Sequence, residues 1–304
     1  MKNRKCFLLC LVVALCCLIH NISLAQFLSP TDVNELPSAP PDHRISYGSD
    51  PLQFGDLRLP DGQGPHPVAI IIHGGCWLSK FADLQNTAAL SDALRRIGIA
   101  TWNIEYRRVD NPGGGWPGTF LDVASAADYL RDIAKEYKLD LKRVIAIGHS
   151  SGGHLAMWVA ARHRIPKESP LYIKNPLPMQ GVVALGAPSN LKWLVDMDET
   201  ICGEHVITKL LGGLPDVVPE RFQQISPIEL LPTGIPQILI TGALDTPMLL
   251  EDGKAYEETA KRKGDRVQFK VVEHASHHEV VAPGSSAWLT VRSSILSQLG
   301  IERH

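Results

Sequence analysis

Residues 148–152, Gly-His-Ser-Ser-Gly, place a serine in a setting typical of covalent catalysis. An apolar run precedes this stretch, and a helix-like segment begins near Gly153. A serine at the tip of a sharp strand-to-helix turn adopts a strained backbone and exposes its hydroxyl above the sheet. The residues two before and two after it crowd the turn, which favours glycine there. Glycines lie at both offsets from Ser150, whereas Ser151 has His149 at the first, so we predict Ser150 as the nucleophile. A small-residue turn without catalysis is the alternative.

A serine nucleophile needs a base to take its proton, and the base needs an acid to fix its tautomer. In a doubly wound sheet such groups lie at the carboxyl ends of strands. Asp245 follows an apolar run that ends at Thr241, and His277 follows another that ends near Val272. The chain order Ser, Asp, His is the one expected for this turn. We therefore predict Asp245 as the acid and His277 as the base.

Neighbouring residues offer alternatives for both roles. Asp252 lies inside the following amphipathic stretch, where an acid more often faces solvent. His274 and His278 are the rival bases, and three histidines within five residues are also compatible with metal binding. No second ligand group with matching spacing accompanies them, so we predict neither a metal nor a cofactor.

The sequence His73-Gly74-Gly75-Cys76-Trp77 follows a further apolar run and offers donors for an oxyanion hole. Acyl transfer needs N–H groups aimed at the developing oxyanion, and a glycine pair lets the backbone approach a substrate closely. A tight turn without function is the alternative. The predicted oxyanion hole consists of backbone groups at Gly74, Gly75, Cys76 and Ser151.

Three further residues are predicted to border the substrate pocket: Trp77, Trp116 and His149. Trp116 lies in the glycine-rich stretch 113–118, which precedes a helix as a phosphate-binding loop would. This stretch lacks the Lys-Ser/Thr ending of a P-loop and the spacing of a dinucleotide fingerprint. We interpret it as a flexible loop beside the pocket, with Trp116 as an apolar wall.

The first 25 of the 304 residues have the features of a secretory signal: a charged start, an apolar run over 6–19 and a small-x-small ending at Ala25. The apolar run, about 14 residues, is short for a membrane span, which needs roughly 20. We predict cleavage after Ala25 and a secreted or periplasmic protein without stable membrane insertion, with a retained N-terminal anchor as the alternative. The remaining 279 residues carry a formal charge of -5 and no basic footprint for nucleic acid. Of the six cysteines, only Cys76 and Cys202 lie outside the signal. We predict that both are free thiols, with a single disulfide in an oxidising compartment as the alternative.

The rest of the chain predicts a flexible mature N-terminus over 26–42 and one α/β domain over 43–304. Apolar runs at 68–72, 99–104, 143–147, 181–185, 237–241 and 267–272 alternate with amphipathic stretches at 84–97, 119–137, 153–164, 249–263 and 286–299. This alternation predicts a mainly parallel, doubly wound sheet with helices on both faces. Runs around Ile45 and 54–59 add a leading antiparallel hairpin. The insertion 188–236, with a short helical piece at 206–211, is interpreted as a small cap near the site, with surface padding as the alternative.

These motifs resemble those of the α/β-hydrolase superfamily, and within it the esterase/lipase group with an H-G-G-x-W loop. That group includes bacterial feruloyl-esterase-like hydrolases and kynurenine formamidases. Glu105-Tyr106-Arg107 matches another element of the group, and the resemblance covers about residues 45–300. It implies the α/β-hydrolase fold and the roles assigned above. Cys76 stands where relatives often have Gly or Tyr, and His278 where an aromatic residue is common, so the resemblance does not transfer a particular substrate.

The expected activity is hydrolysis of a small-molecule carboxylic ester through an acyl-enzyme. An arylformamidase-type amide hydrolase uses the same triad and is the main alternative. A serine peptidase and a catalytically silent binding module on the same fold are further hypotheses. The sequence leaves the oligomeric state open.

Overall fold

A computed structural model describes residues 27–301 as an α/β structure around one eight-stranded sheet. The predicted signal segment lies outside the described residues. The strand order is β1-β2-β4-β3-β5-β6-β7-β8, with antiparallel pairing of β1 to β2 and of β2 to β4 and parallel pairing elsewhere. This is the predicted α/β-hydrolase architecture with its leading hairpin. The strands are β1 (His43–Ser46), β2 (Phe54–Arg58), β3 (His66–Ile72), β4 (Ala100–Ile104), β5 (Leu139–His149), β6 (Gly181–Leu185), β7 (Gln237–Gly242) and β8 (Val267–Val272).

The central strands are apolar at successive positions because helices cover both faces of the sheet. In β3, Ile70 and Ile72 face a core cluster that includes Phe120. Ile71 faces a second cluster on the other side, together with Val291. All five residues are fully or almost fully buried. Continuous apolar runs in the sequence therefore mark these strands correctly.

Helices connect the strands close to the predicted stretches. No helix within residues 27–301 is long and apolar enough to cross a membrane. The helices outside the insertion are Pro30–Asn34, Ala88–Arg95, Gly118–Asp128, Leu130–Ile133, Ser151–Ala160, Pro247–Arg262 and Trp288–Gln298, and 3₁₀ turns span Leu84–Thr87 and Arg162–Arg164.

The segment predicted as a flexible N-terminus is more ordered than its sequence suggests. It contains the helix Pro30–Asn34, which Ser29 caps, and Val33 is buried against the second core cluster. The N–H of Leu28 donates to Glu279 Oε1 at 2.6 Å, next to the loop that contains His277. A five-residue helix is too short to show a periodic apolar pattern, so the sequence gives no sign of it.

The insertion 188–236 forms four short helices rather than the one predicted piece. Several of their apolar residues, including Ile207, Leu211 and Phe222, are fully buried in the main core cluster. The insertion is therefore integral to the domain. Its helices are Leu191–Leu194, Asp198–Cys202, Val206–Leu211 and Pro219–Ile225.

The prediction of two free thiols is wrong. Cys76 and Cys202, which are 126 positions apart in sequence, form a disulfide with their Cα atoms 5.9 Å apart. Folding of the insertion brings the end of the helix Asp198–Cys202 against the loop after β3. That contact depends on tertiary packing, which the spacing of the two cysteines does not reveal.

Candidate active site

Ser150 lies in a strained turn between β5 and the helix Ser151–Ala160. Its φ of 54° and ψ of -124° are unfavourable for a residue with a side chain and are typical of functional turns. A Cβ atom on Gly152 would lie 2.2 Å from the carbonyl oxygen of His73, and one on Gly148 would lie 2.1 Å from that of Gly152. Backbone crowding therefore requires both glycines, as the spacing predicts.

Asp245 and His277 meet beside this turn. His277 Nδ1 lies 2.8 Å from Asp245 Oδ2, and the side chain of Asp245 is 2% exposed. Because a carboxylate only accepts hydrogen bonds, Nδ1–H donates to Asp245, and in the neutral tautomer this leaves the lone pair on Nε2. Gly186 has φ of +53° and packs against the pair, since a Cβ there would lie 3.1 Å from His277 Nδ1. Ser150, Asp245 and His277 all line one cavity.

The rival residues lie in different surroundings. Asp252 is buried and accepts the N–H of Ser189 at 2.5 Å at the base of the insertion, and burial raises its pKa to about 6. His274 is exposed. His278 lines the cavity, but burial, followed by repulsion from His277, lowers its pKa to about 4. Among these candidates, the structure brings together the predicted acid and base.

His149 connects the serine turn to the histidine loop. Its Nε2 lies 2.8 Å from the carbonyl oxygen of His277, and the two rings are 4.7 Å apart. Burial, with His277 and His278, holds the pKa of His149 well below its ordinary value, so the neutral ring donates through Nε2–H. The sequence places His149 at the pocket, where it is found. Its contact with His277 is not apparent from the sequence.

The loop after β3 presents unpaired backbone donors to the cavity. Gly75, Cys76 and Trp77 all have positive φ, at 101°, 52° and 54°. Within residues 27–301, the N–H groups of Gly75, Cys76 and Ser151 donate to no protein acceptor. All three residues line the cavity, and such free N–H groups can bind an oxyanion. Gly74 lies outside that lining, and a Cβ atom on it would lie 2.8 Å from the carbonyl oxygen of His149.

Glu105 holds this loop from behind. Its Oε1 lies 3.1 Å from His73 Nε2 and 3.1 Å from Arg108 Nη1, and its Oε2 accepts the N–H of Leu84. The hydroxyl of Tyr106 donates to the carbonyl oxygen of His73 at 2.8 Å. Burial alone would raise the pKa of Glu105, but His73 and Arg108 outweigh it, and the pKa lies below its ordinary value. Glu105 and Tyr106 thus position the loop that contains the predicted oxyanion donors, whereas Arg107 pairs with Asp122.

The cavity has a volume of about 490 Å³ and a largely apolar wall. Trp77 lies in this wall, as predicted. Several residues that the sequence does not single out also contribute: Pro30 from the N-terminal segment, Phe81, Leu194, Thr200, Ile201 and Leu249.

Trp116 is not part of the cavity lining, so its predicted role as a pocket wall is wrong. Its ring lies 6.1 Å from that of Phe120, and Arg221 of the insertion stacks on it at 5.5 Å. The backbone N–H of Trp116 donates to the carbonyl oxygen of Leu210 at 2.7 Å. The insertion therefore holds Trp116 away from Ser150, which the local glycine-rich pattern does not show.

Comparison with known proteins supports the fold and gives the family. The sequence profile of the BD-FAE family matches residues 56–258, about two thirds of the chain. The chain belongs to the BD-FAE family. The matched region includes Ser150 and Asp245, whereas His277 and the N-terminal segment lie outside it.

Individual relatives of this BD-FAE family member are distant. It is 27% identical over 226 residues to Esterase LipC of Mycobacterium tuberculosis, covering 71% of this chain and 54% of the relative. It is 24% identical over 244 residues to a probable isoprenylcysteine alpha-carbonyl methylesterase of Arabidopsis thaliana, covering 78% and 50%. The chain thus spans about half the length of these curated relatives. Esterase B from Lactobacillus rhamnosis has a similar fold, with a TM-score of 0.73 and 21% identity over 88% of each chain.

Proposed function

We propose that the chain is a serine hydrolase that cleaves carboxylic esters. Ser150 is the nucleophile, His277 the general base and Asp245 the acid that orients it. The observation that carries this proposal is the 2.8 Å contact between His277 and Asp245 in the same cavity as the strained turn at Ser150. Relatives that are named esterases support the choice of an ester over an amide.

In the proposed mechanism, His277 Nε2 takes the hydroxyl proton as Ser150 Oγ attacks the ester carbonyl carbon. The oxyanion accepts hydrogen bonds from the backbone N–H groups of Gly75, Cys76 and Ser151. The C–O bond to the alcohol then breaks, and the protonated His277 gives its proton to the departing oxygen. Water, deprotonated by His277, attacks the acyl carbon and releases the acid and free Ser150.

The cavity favours a small, electrically neutral substrate. Its described lining contains no lysine or arginine, and its acidic side chain, Asp245, pairs with His277. A carboxylate or phosphate on the substrate would find no cation to replace its hydration. Phe81, Ile201 and Leu249 instead offer apolar surface to an acyl or aromatic group.

The protein is also proposed to act outside the cytoplasm. The signal-like residues 1–25 support this location. The disulfide between Cys76 and Cys202 supports it independently, because disulfides persist mainly in oxidising compartments. Fractionation of cells that express the full chain, with N-terminal sequencing of the product, tests both the location and the cleavage after Ala25. Uncleaved protein in the cytoplasm would contradict the proposal.

The activity is tested on purified residues 26–304 with p-nitrophenyl acetate and butyrate, acetylated and feruloylated sugars, and N-formylkynurenine. We expect turnover of esters, loss of turnover in Ser150→Ala and in Asp245→Asn, and retention in Asp252→Asn. The last variant is a matched control, since it removes a carboxylate close in sequence that lies away from the cavity lining. Turnover of N-formylkynurenine alone would favour the formamidase alternative. A folded protein that hydrolyses neither class would overturn the proposal.

A further inference from the structure

The Cys76–Cys202 disulfide connects two parts of the proposed active site. Cys76 contributes one of the N–H groups proposed to bind the oxyanion, and Cys202 ends the helix Asp198–Cys202 of the insertion. Both cysteines line the cavity, as do Thr200 and Ile201 of the same helix. One covalent bond therefore joins the loop with the proposed oxyanion donors to the part of the cavity wall that the insertion forms.

The backbone at Cys76 needs an external restraint. Left-handed conformations at non-glycine residues cost about 1–3 kcal/mol each, and Cys76 and Trp77 adopt them in succession. The flanking residues are held by backbone bonds, from Leu78 N–H to Gly75 O at 2.8 Å and from Val109 N–H to Trp77 O at 3.0 Å. Among the described residues, neither the N–H nor the C=O of Cys76 has a hydrogen-bond partner. Besides apolar packing against the main core cluster, its disulfide is thus its direct attachment to the rest of the fold.

Another link joins the same two regions, but it lies at the surface. Lys80 Nζ is 2.5 Å from Glu204 Oε1, and the side chain of Lys80 is 54% exposed. Exposed ion pairs contribute little because water screens them. Cys202, by contrast, is 3% exposed. The buried covalent bond is therefore the link that can fix the distance between the loop and the helix.

We propose that the Cys76–Cys202 disulfide is a positioning element. It fixes the distance between the oxyanion donor at Cys76 and the cavity wall formed by the helix Asp198–Cys202, and so determines which acyl groups the enzyme accepts. This inference rests on the proposed ester hydrolysis. With the bond intact, the Cys76 N–H cannot leave its position without moving Ile201. Without the bond, the loop relaxes from its strained conformation and the helix Asp198–Cys202 moves independently. Turnover then falls for every ester, and discrimination between short and long acyl groups weakens.

The test compares the native chain with Cys202→Ala, Cys76→Ala and the double variant on p-nitrophenyl acetate and octanoate. We expect kcat to fall about ten- to hundred-fold for both esters in each variant, as for a misplaced catalytic donor. We also expect the ratio of kcat/KM for the two esters to change at least about threefold. The double variant should match the single ones, because each alone removes the same bond. Lys80→Ala is the matched control and should leave kcat and the ratio within about twofold.

A second measurement avoids dependence on the folding of variants. The folded native enzyme is treated with a phosphine, which supplies two electrons and is oxidised with oxygen from water, while the two sulfurs each gain a proton. Circular dichroism monitors the fold, and reoxidation should restore both kcat and selectivity. Native kcat and acyl selectivity in the reduced enzyme or in folded Cys202→Ala would overturn this inference and leave the proposed function intact. A native chain without hydrolytic activity would overturn the proposed function as well.

Discussion

Asp252 is a buried carboxyl group whose replacement by asparagine should make stability depend less on pH. Its Oδ2 accepts the N–H of Ser189 at 2.5 Å, and its Oδ1 has no partner within the described residues. The neighbours that hydrogen-bond to it, Ser189 and Asn190, carry no charge. Burial therefore dominates and raises the pKa from 3.8 to about 6. A difference of about 2 pH units corresponds to about 3 kcal/mol.

The sign follows from the direction of this shift. Because the pKa of Asp252 is higher in the folded protein than in the unfolded one, the folded state binds the proton more tightly. The resulting stabilisation is fully present below about pH 4 and is lost as the pH rises through about 6. An amide does not titrate, and its oxygen can accept the same N–H. The free energy of unfolding of Asp252→Asn, minus that of the native chain, should thus rise by about 3 kcal/mol between pH 4 and pH 8.

Urea unfolding followed by tryptophan fluorescence at pH 4, 5, 6, 7 and 8 measures this difference for the two proteins. The increase should be concentrated between pH 4 and pH 7 and level off above that range. A difference that stays constant from pH 4 to pH 8 would refute the assignment of a buried, unpaired carboxyl group. The same variant keeps its ester hydrolysis if Asp252 has no catalytic role.

Three further substitutions test the site. His277→Gln should lower kcat for p-nitrophenyl acetate by about 10⁴-fold. His278→Gln should lower it less than about tenfold, since that ring has a pKa of about 4 and does not pair with Asp245. Equal losses would contradict the choice of His277 as the base. Glu105→Gln removes the charge beside Arg108 and should lower the free energy of unfolding by about 3 kcal/mol. It should also lower kcat, and full native activity in this variant would contradict the role of Glu105 in positioning the loop. Gly152→Ala adds a Cβ about 2.2 Å from backbone oxygens that cannot move aside and should yield little folded protein; circular dichroism of a soluble, native-like product would show the crowding argument to be wrong.

Much of the fold and of the proposed triad could be predicted because the controlling interactions are local. The apolar runs of the central strands follow from burial on both faces of the sheet. The glycines around Ser150 follow from backbone crowding within the turn itself. Asp245 and His277 could be chosen because parallel strands bring their carboxyl ends to one edge, which makes chain order informative.

The incorrect predictions concern contacts between distant segments. Cys76 and Cys202 pair only because the insertion folds over the loop after β3. Trp116 is turned toward Arg221 of the insertion, a partner about a hundred residues further along the chain. The insertion helix Val206–Leu211 is predicted, but the other three span four to seven residues, too few for a periodic apolar pattern to be recognised. Tertiary packing, rather than local propensity, determines these features.

The hydrogen bond between Leu28 and Glu279 has a consequence for when the proposed activity can begin. The two residues are 251 positions apart, and Glu279 also accepts the N–H of Ser276, directly before His277. During synthesis, Ser150 emerges well before Asp245 and His277. The N-terminal segment likewise cannot form its hydrogen bond until Glu279 has been synthesised. A nascent chain therefore contains the proposed nucleophile before the proposed base and the complete cavity wall are present. The proposed hydrolysis can begin only after β8 and the loop that contains His277 have folded back onto the segment around Leu28.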